Sequence, residues 1–261
     1  MKKKNTLGVA RTLNTFGVFK DHETDWTFKR TLGYMGEQGA QIGECLYAAS
    51  RINERVPESW MNEWAALGAK VEAQGAHSLE VGNNESARDS FIRASNYYRT
   101  AEYGCPPSHP RFHELWRKGV ECMHKALPLF ERPAVPVSIP YEGKMMPGYF
   151  VRPDESGAKR PTLILVGGND STIEEILLIG GIAAARRGFN FLTFDYPGHR
   201  GFVHTYYPEG TKRVDNVPAF KAAIDFLLTL PGVDDRIALS GGSMGGYVVT
   251  QVAYTSRGSG L

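Results

Sequence analysis

The stretch that decides the fold is Ile237–Leu261, IALSGGSMGGYVVTQVAYTSRGSGL. An apolar run leads into Gly241-Gly242-Ser243-Met244-Gly245, and a helix-forming segment follows. This order predicts a strand, a sharp turn with Ser243 at its tip, and a helix. Glycines suit such a turn, because the serine takes a strained backbone conformation and strand and helix approach closely around it. The helix N-terminus behind Ser243 places backbone N–H groups and partial positive charge where an oxyanion would form. Ser243 is therefore the candidate nucleophile, and the Met244 N–H one candidate oxyanion donor. A serine needs a general base, yet all seven histidines precede Ser243.

Upstream, strands and helices alternate. RPTLILVGGND, from Arg160, is the unbroken apolar run of a central parallel strand. STIEEILLIGGIAAARRG predicts a helix opened by a Ser171…Glu174 capping box and stopped at Gly188. FNFLTFDYPGHRG is the next strand and loop, NVPAFKAAIDFLLTLPG the next helix, and DRIALSG the strand that enters the serine turn. PVSIPYEGKMMPGYFVRP, before them, reads as an antiparallel edge hairpin turning at Glu142-Gly143-Lys144. The series predicts an α/β fold with a doubly wound, mostly parallel sheet. Val166–Asp170, VGGND, lies just past the first parallel strand, where a second oxyanion donor belongs. The Asn169 N–H is that candidate, with Gly168 beside it as a substrate contact. A phosphate cradle is the competing use of the glycine pair, but neither G-x-G-x-x-G nor a lysine-bearing phosphate loop is present.

From Asp25 to about Phe130 the periodicity is helical, with breakers at GNNES and GCPPSHP. Asn84 is the expected N-cap of a helix whose Ala87, Phe91, Ala94, Tyr98 and Ala101 share one face, and Trp60, Trp64, Leu67 and Val71 mark its partner. The pair looks like a tetratricopeptide hairpin but shows no repeat period. A prolyl linker, FERPAVPV, places the domain boundary so that residues 1–132 are helical and residues 133–261 form the α/β part.

A net charge of +2 with interspersed signs gives no nucleic-acid footprint, so a small-molecule substrate is the expected partner, with a homodimer compatible. The sequence contains neither an eighteen-residue apolar run nor a secretory leader pattern, which makes the expected location cytoplasmic, away from membranes. Cys45, Cys105 and Cys122 lack metal or redox spacing and read as buried free thiols; no metal or cofactor is expected.

At Gly167–Glu175, GGNDSTIEE, the chain resembles the G-G-x-D-S-T-x-E-E signature of an α/β-hydrolase group. That group comprises FrsA-like esterases, 2,6-dihydroxypseudooxynicotine hydrolases and fungal hydrolases that shorten polyketides. Asp195–Gly201, DYPGHRG, resembles the group's D-G-P-G-Q-G-E loop but departs from it, while RASNYYRTAEY (Arg93–Tyr103) and PYEGKMMPGYF match its helical segment and opening hairpin. The resemblance implies a helical cap over an α/β-hydrolase core with the substrate pocket between them, and makes Tyr97 and Tyr98 candidate pocket residues, although core packing is the commoner use of such tyrosines. It implies cleavage of esters, or of C–C bonds beside a carbonyl, in small aromatic or polyketide-like molecules.

In that fold the acid and the histidine follow the serine in sequence. His199 and His204 read instead as surface or pocket-wall residues, and Asp195 as shaping the turn before Pro197 and Gly198. Covering the serine strand would take further β/α units, on the order of 90 residues. The expectation is therefore an N-terminal portion of a longer hydrolase, with the serine strand left at a sheet edge. The alternative is a catalytically incomplete homologue that binds small molecules or a protein partner.

Overall fold

A computed structural model describes residues 16–210 and 214–259, the side chains of Pro57 and of residues 256–259 excepted. Residues 1–15 and 211–213 and the last two residues of the quoted serine segment lie outside the described residues. The chain divides into two compact units, Met1–Cys122 and Met123–Leu261.

The first unit holds α1 (His22–Leu32), α2 (Ile42–Arg51), α3 (Pro57–Glu80), α4 (Asn84–Tyr103) and most of α5 (Phe112–Ala126). The Asp21 side chain caps α1 by accepting from Thr24 N. A 3-10 turn at Met35–Glu37 and the positive φ of Gln38 separate α1 from α2, within a stretch the sequence presents as one helical run. Pro57 opens α3 at a position where its missing N–H costs nothing. Gly82, at φ +80°, turns the chain into α4. The cap of α4 is Asn83, without a side-chain bond, and not the expected Asn84, which is already the first helical residue.

Close approach of α3 and α4 organises this unit. A Cβ on Gly68 would sit 3.1 Å from the Tyr98 ring, and one on Gly75 would sit 2.9 Å from the Phe91 ring. Two glycines seven residues apart thus give one bare stripe on α3 to the aromatics of α4. Trp60, Trp64, Leu67 and Val71 pack with Ala94, Tyr97, Tyr98 and Ala101 as their spacing predicts. Burying each large side chain contributes about 2–3 kcal/mol. However, α4 is buried nearly all round, not on one face. Its polar residues are therefore internally paired: Asn96 donates to Thr31 O and Gly39 O, and Arg93 pairs with Glu44.

The second unit carries a five-stranded sheet in the order β1-β2-β4-β3-β5, with β1 Ala134–Tyr141, β2 Lys144–Val151, β3 Arg160–Val166, β4 Asn190–Phe194 and β5 Val233–Gly241. Glu142 and Gly143, both at positive φ, make the β1–β2 hairpin turn. β3 runs parallel to β4 and to β5, and β2 alone is reversed. Side-chain alternation sends Ile164, Val166, Leu192 and Phe194 into a cluster with Phe220 of α9 (Val217–Leu228) and Val248 of α10 (Met244–Ser259). Leu165 and Phe191 point to the other face, against Gly180 and Gly181. Helices on both faces make the sheet doubly wound.

The expected helix after β3 is broken into α6 (Ile173–Ile176), a π turn (Leu177–Gly181) and α7 (Ile182–Arg186). Its cap is Thr172, accepting from Glu175 N, one residue later than expected, because the Ser171 hydroxyl is taken by Gly168 N. Gly188 stops the segment at φ +82°. α8 (Arg200–Thr205) follows β4. β5 ends the strand order and pairs only with β3 among the described strands, which puts the serine strand at the sheet edge. No helix among the described residues is long and apolar enough to cross a membrane.

The fully buried Asp25 of α1 accepts from the backbone N–H groups of Phe16, Gly17, Val18 and Phe19. Burial pushes this carboxyl up, but the four donors outweigh it and hold the group below the usual carboxylate range. A depressed folded-state pKa contributes stability that is present above the unfolded value, about 3.9, and lost as pH falls through the folded one. Urea midpoints of the chain should thus fall between pH 5 and pH 3 (about 3.9 lies inside that window), and Asp25→Asn should lower the midpoint at pH 5 while flattening this pH dependence. Equal slopes in the two proteins contradict the role of Asp25.

Candidate active site

Ser243 occupies the turn between β5 and α10 at φ +54°, one of three non-glycine residues at positive φ among those described. Holding a serine there costs on the order of 1–2 kcal/mol, which its surroundings must offset. They do so through close glycine contacts. A Cβ on Gly241 would lie 2.4 Å from the Gly245 backbone, and one on Gly245 would lie 2.4 Å from Gly167 O. A Cβ on Gly168 would meet Ser243 Cβ at 2.9 Å. Gly242, by contrast, faces open space. The two outer glycines of G-x-S-x-G are thus required by packing, and the turn after β3 is pressed against the serine turn.

This contact brings together the expected residues. Gly168 is buried beside Ser243, whereas Ser243 and Asn169 are exposed. Among the described residues neither the Asn169 N–H nor the Met244 N–H has a hydrogen-bond partner, while Gly242 N donates to Val166 O and Gly245 N to Gly242 O. Two unengaged donors from two neighbouring turns, one of them at a helix N-terminus, suit an oxygen anion formed at a carbon bonded to Ser243.

Tyr97 and Tyr98 belong to the helical unit. Both are buried, and their hydroxyls donate to Glu44 and Glu72. A groove of about 390 Å³ in that unit is lined mainly by apolar side chains, among them Phe28, Leu32, Ile42 and Leu46, together with Lys29.

The structure also shows a polar cluster that the sequence reading missed. His199 and His204, expected at the surface or a pocket wall, are 1% and 7% exposed. Asp195 does more than shape a turn, since its carboxylate accepts from His199 Nδ1–H at close range. Tyr196 stacks on His199 at 5.0 Å and donates to Gly167 O. Next to them the buried Glu174 accepts from Tyr149 Oη. Burial and the charge of Asp195 push Glu174 up to about 7, and burial followed by Asp195 pushes Tyr196 up to about 12. One sequence signal for the cluster was Gly201, where a Cβ would collide with the Asp195 carboxylate. No hydrogen bond joins His199 to Ser243, and His199 Nε2 is buried without a partner.

Among the described residues, no group of histidine, cysteine or acidic side chains has the geometry to hold a metal ion. All three cysteines are buried and free, as expected.

No protein-family model matches the chain. Curated relatives do. The 20-hydroxy-prefusarin hydrolase FUS2 of Gibberella moniliformis is 31% identical over 251 residues, covering 92% of this chain and 59% of its own length. Hydrolase LUC6 of a Fusarium species and the alpha/beta hydrolase psoB of Aspergillus fumigatus are each 32% identical, with 92% of this chain covered and 59% and 57% of theirs. The chain thus spans about three fifths of the length of the curated relatives it matches. Among solved structures, a 2,6-dihydroxy-pseudo-oxynicotine hydrolase superposes with TM-score 0.72 at 24% identity, covering 86% of this chain and 61% of its own. AbyA5 superposes with TM-score 0.60 at 18% identity, covering 88% and 58%.

The glycine requirement predicts unequal costs for the same substitution. Gly245→Ala should destabilise the chain by about 2–4 kcal/mol and Gly242→Ala by less than about 0.5 kcal/mol, read as shifts in thermal midpoint. Similar shifts for both would contradict the packed turn. Fold, serine turn and relatives agree, and the chain belongs to the α/β-hydrolases of the group that holds these fungal hydrolases.

Proposed function

We propose that this chain carries the nucleophile and the oxyanion hole of a serine hydrolase that acts on an ester, or on a C–C bond beside a carbonyl, in a small aromatic or polyketide-like substrate. The observation that carries the reading is Ser243 at φ +54° against Gly168, next to two unengaged backbone donors. Ser243 Oγ attacks the substrate carbonyl carbon, and the π electrons move to the oxygen. The Asn169 and Met244 N–H groups hold that oxyanion. Its collapse expels an alkoxide or, in C–C cleavage, a carbanion stabilised as an enolate, which takes up the proton removed from Ser243. Water then hydrolyses the acyl-serine to a carboxylic acid.

The proton transfers need a base and an orienting acid. We place both in residues corresponding to the part of the relatives' length that lies outside the match, since no histidine described here bonds to Ser243. The substrate class is carried over from two similar proteins, a 20-hydroxy-prefusarin hydrolase and a 2,6-dihydroxy-pseudo-oxynicotine hydrolase. A second reading, a catalytically incomplete homologue that binds such molecules, is favoured by the same isolation of Ser243 from a base.

A fluorophosphonate probe separates the two. A missing base costs about 10²–10⁴ in rate, so the chain alone should label slowly. Excess imidazole, acting as a soluble base, should then speed labelling by about tenfold or more, and Ser243→Ala should abolish it. An absence of labelling even with imidazole supports the binding-only reading, and labelling that survives Ser243→Ala refutes Ser243 as the nucleophile.

A further inference from the structure

His199 has the geometry of a residue with one task completed and one nitrogen in reserve. Its Nδ1–H is given to Asp195, because a carboxylate can only accept, so in the neutral ring the lone pair lies on Nε2. That Nε2 is buried and has no partner. It is aimed at the turn after β3. The position of a Cβ on Gly167 is 3.1 Å from His199 Nε2 and 3.0 Å from Ser171 Oγ, so both atoms crowd the same point above that glycine. Ser171 Oγ in turn accepts from Gly168 N at 3.2 Å, and Ser171 N donates to Gly168 O. Tyr196, stacked on the imidazole and bonded to Gly167 O, keeps the ring from turning away.

We propose that Asp195, His199 and Ser171 form a positioning relay for the oxyanion turn, in which the Ser171 hydroxyl donates to His199 Nε2 while accepting from Gly168 N–H. Turning the Ser171 hydroxyl about its Cβ–Oγ bond aims its proton at Nε2, while Oγ keeps the bond from Gly168 N, and completes the chain from Asp195 to Gly168. Gly168 is the residue that touches Ser243, and Asn169 follows it, so the relay sets the angle at which the Asn169 N–H faces the nucleophile. The order acid, imidazole, serine is that of a catalytic triad, but Ser171 is only 9% exposed and its oxygen is committed to a backbone N–H. It therefore holds the turn and does not attack substrate. The relay gives the turn a fixed, fully bonded interior where a bare glycine pair would be free to reorient. The inference rests on the hydrolase reading for the purpose of the turn, though not for the existence of the relay.

Hydrogen–deuterium exchange of the whole chain tests it without any need for activity. Amide exchange at Gly168 should rise about tenfold or more in His199→Leu and in Ser171→Ala, and the double variant should exchange no faster than either single one, as expected for members of one network. His199→Gln, whose amide can donate to Asp195 and accept from Ser171, should restore protection at Gly168 to near the wild-type value. Unchanged exchange at Gly168 in Ser171→Ala, or additive effects in the double variant, would overturn the relay. If His199→Leu loosens β3 and β5 throughout, His199→Gln decides: protection of Gly168 supports the relay, and its loss over a protected sheet refutes it. Fluorophosphonate labelling reports separately on the hydrolase reading, so the two can fail independently.

Discussion

The α/β unit depends on a backbone-to-backbone approach between two turns, the one that follows β3 and the one that follows β5. With Gly245 so near Gly167 O that a methyl group cannot fit, the start of α10 lies directly on the end of β3. That closeness is what forces Ser243 to positive φ, because the chain must reverse direction within a few residues before the helix begins. The strain is local and the packing that offsets it is broad. Val248 and Val252 of α10 enter the cluster formed by Ile164, Val166 and Phe194, and removing the helix from the sheet would expose all of them. The strained backbone at one serine is thus held by apolar burial that draws on all five strands and on α8, α9 and α10.

The same approach brings polar chemistry under the turn. A bare glycine pair at the end of a strand has little to fix it, and here the fixing groups arrive from β2, β4 and the segments after them. Tyr149 bonds Glu174, Asp195 bonds His199, and Tyr196 bonds Gly167. Burial, and next to it the charge of Asp195, drives Glu174 up to about 7. Each of these bonds meets the burial cost of the groups it joins, while His199 Nε2 is left buried without a partner.

The sequence carried the features that depend on neighbouring residues and lost those that depend on distant ones. The serine turn, the hairpin at Glu142-Gly143 and the succession of strands along the chain were legible because glycine placement and apolar runs are local signals. The cap before α6 slipped by one residue because STIEE contains two overlapping capping boxes, Ser171…Glu174 and Thr172…Glu175; only the demand of Gly168 N on Ser171 selects the second. The π turn was invisible because its cause is tertiary, the close packing of Gly180 and Gly181 on Leu165 and Phe191. The full enclosure of Tyr97 and Tyr98 has a similar cause. On α4 a helical period suggests one buried face, yet α4 is enclosed on all sides and both hydroxyls are consumed by glutamates. The Asp195–His199 contact joins residues four apart in a loop, where no periodic rule says that two side chains meet.

The proposal that the turns around Gly168 and Ser243 form one oxyanion hole is open to a direct test, the crystal structure of the chain with a phosphonate bonded to Ser243 Oγ. The account predicts the phosphoryl oxygen within about 2.7–3.1 Å of both Asn169 N and Met244 N, the range expected of oxyanion donors. A phosphoryl oxygen directed to solvent, with either nitrogen turned away from it, would contradict the account.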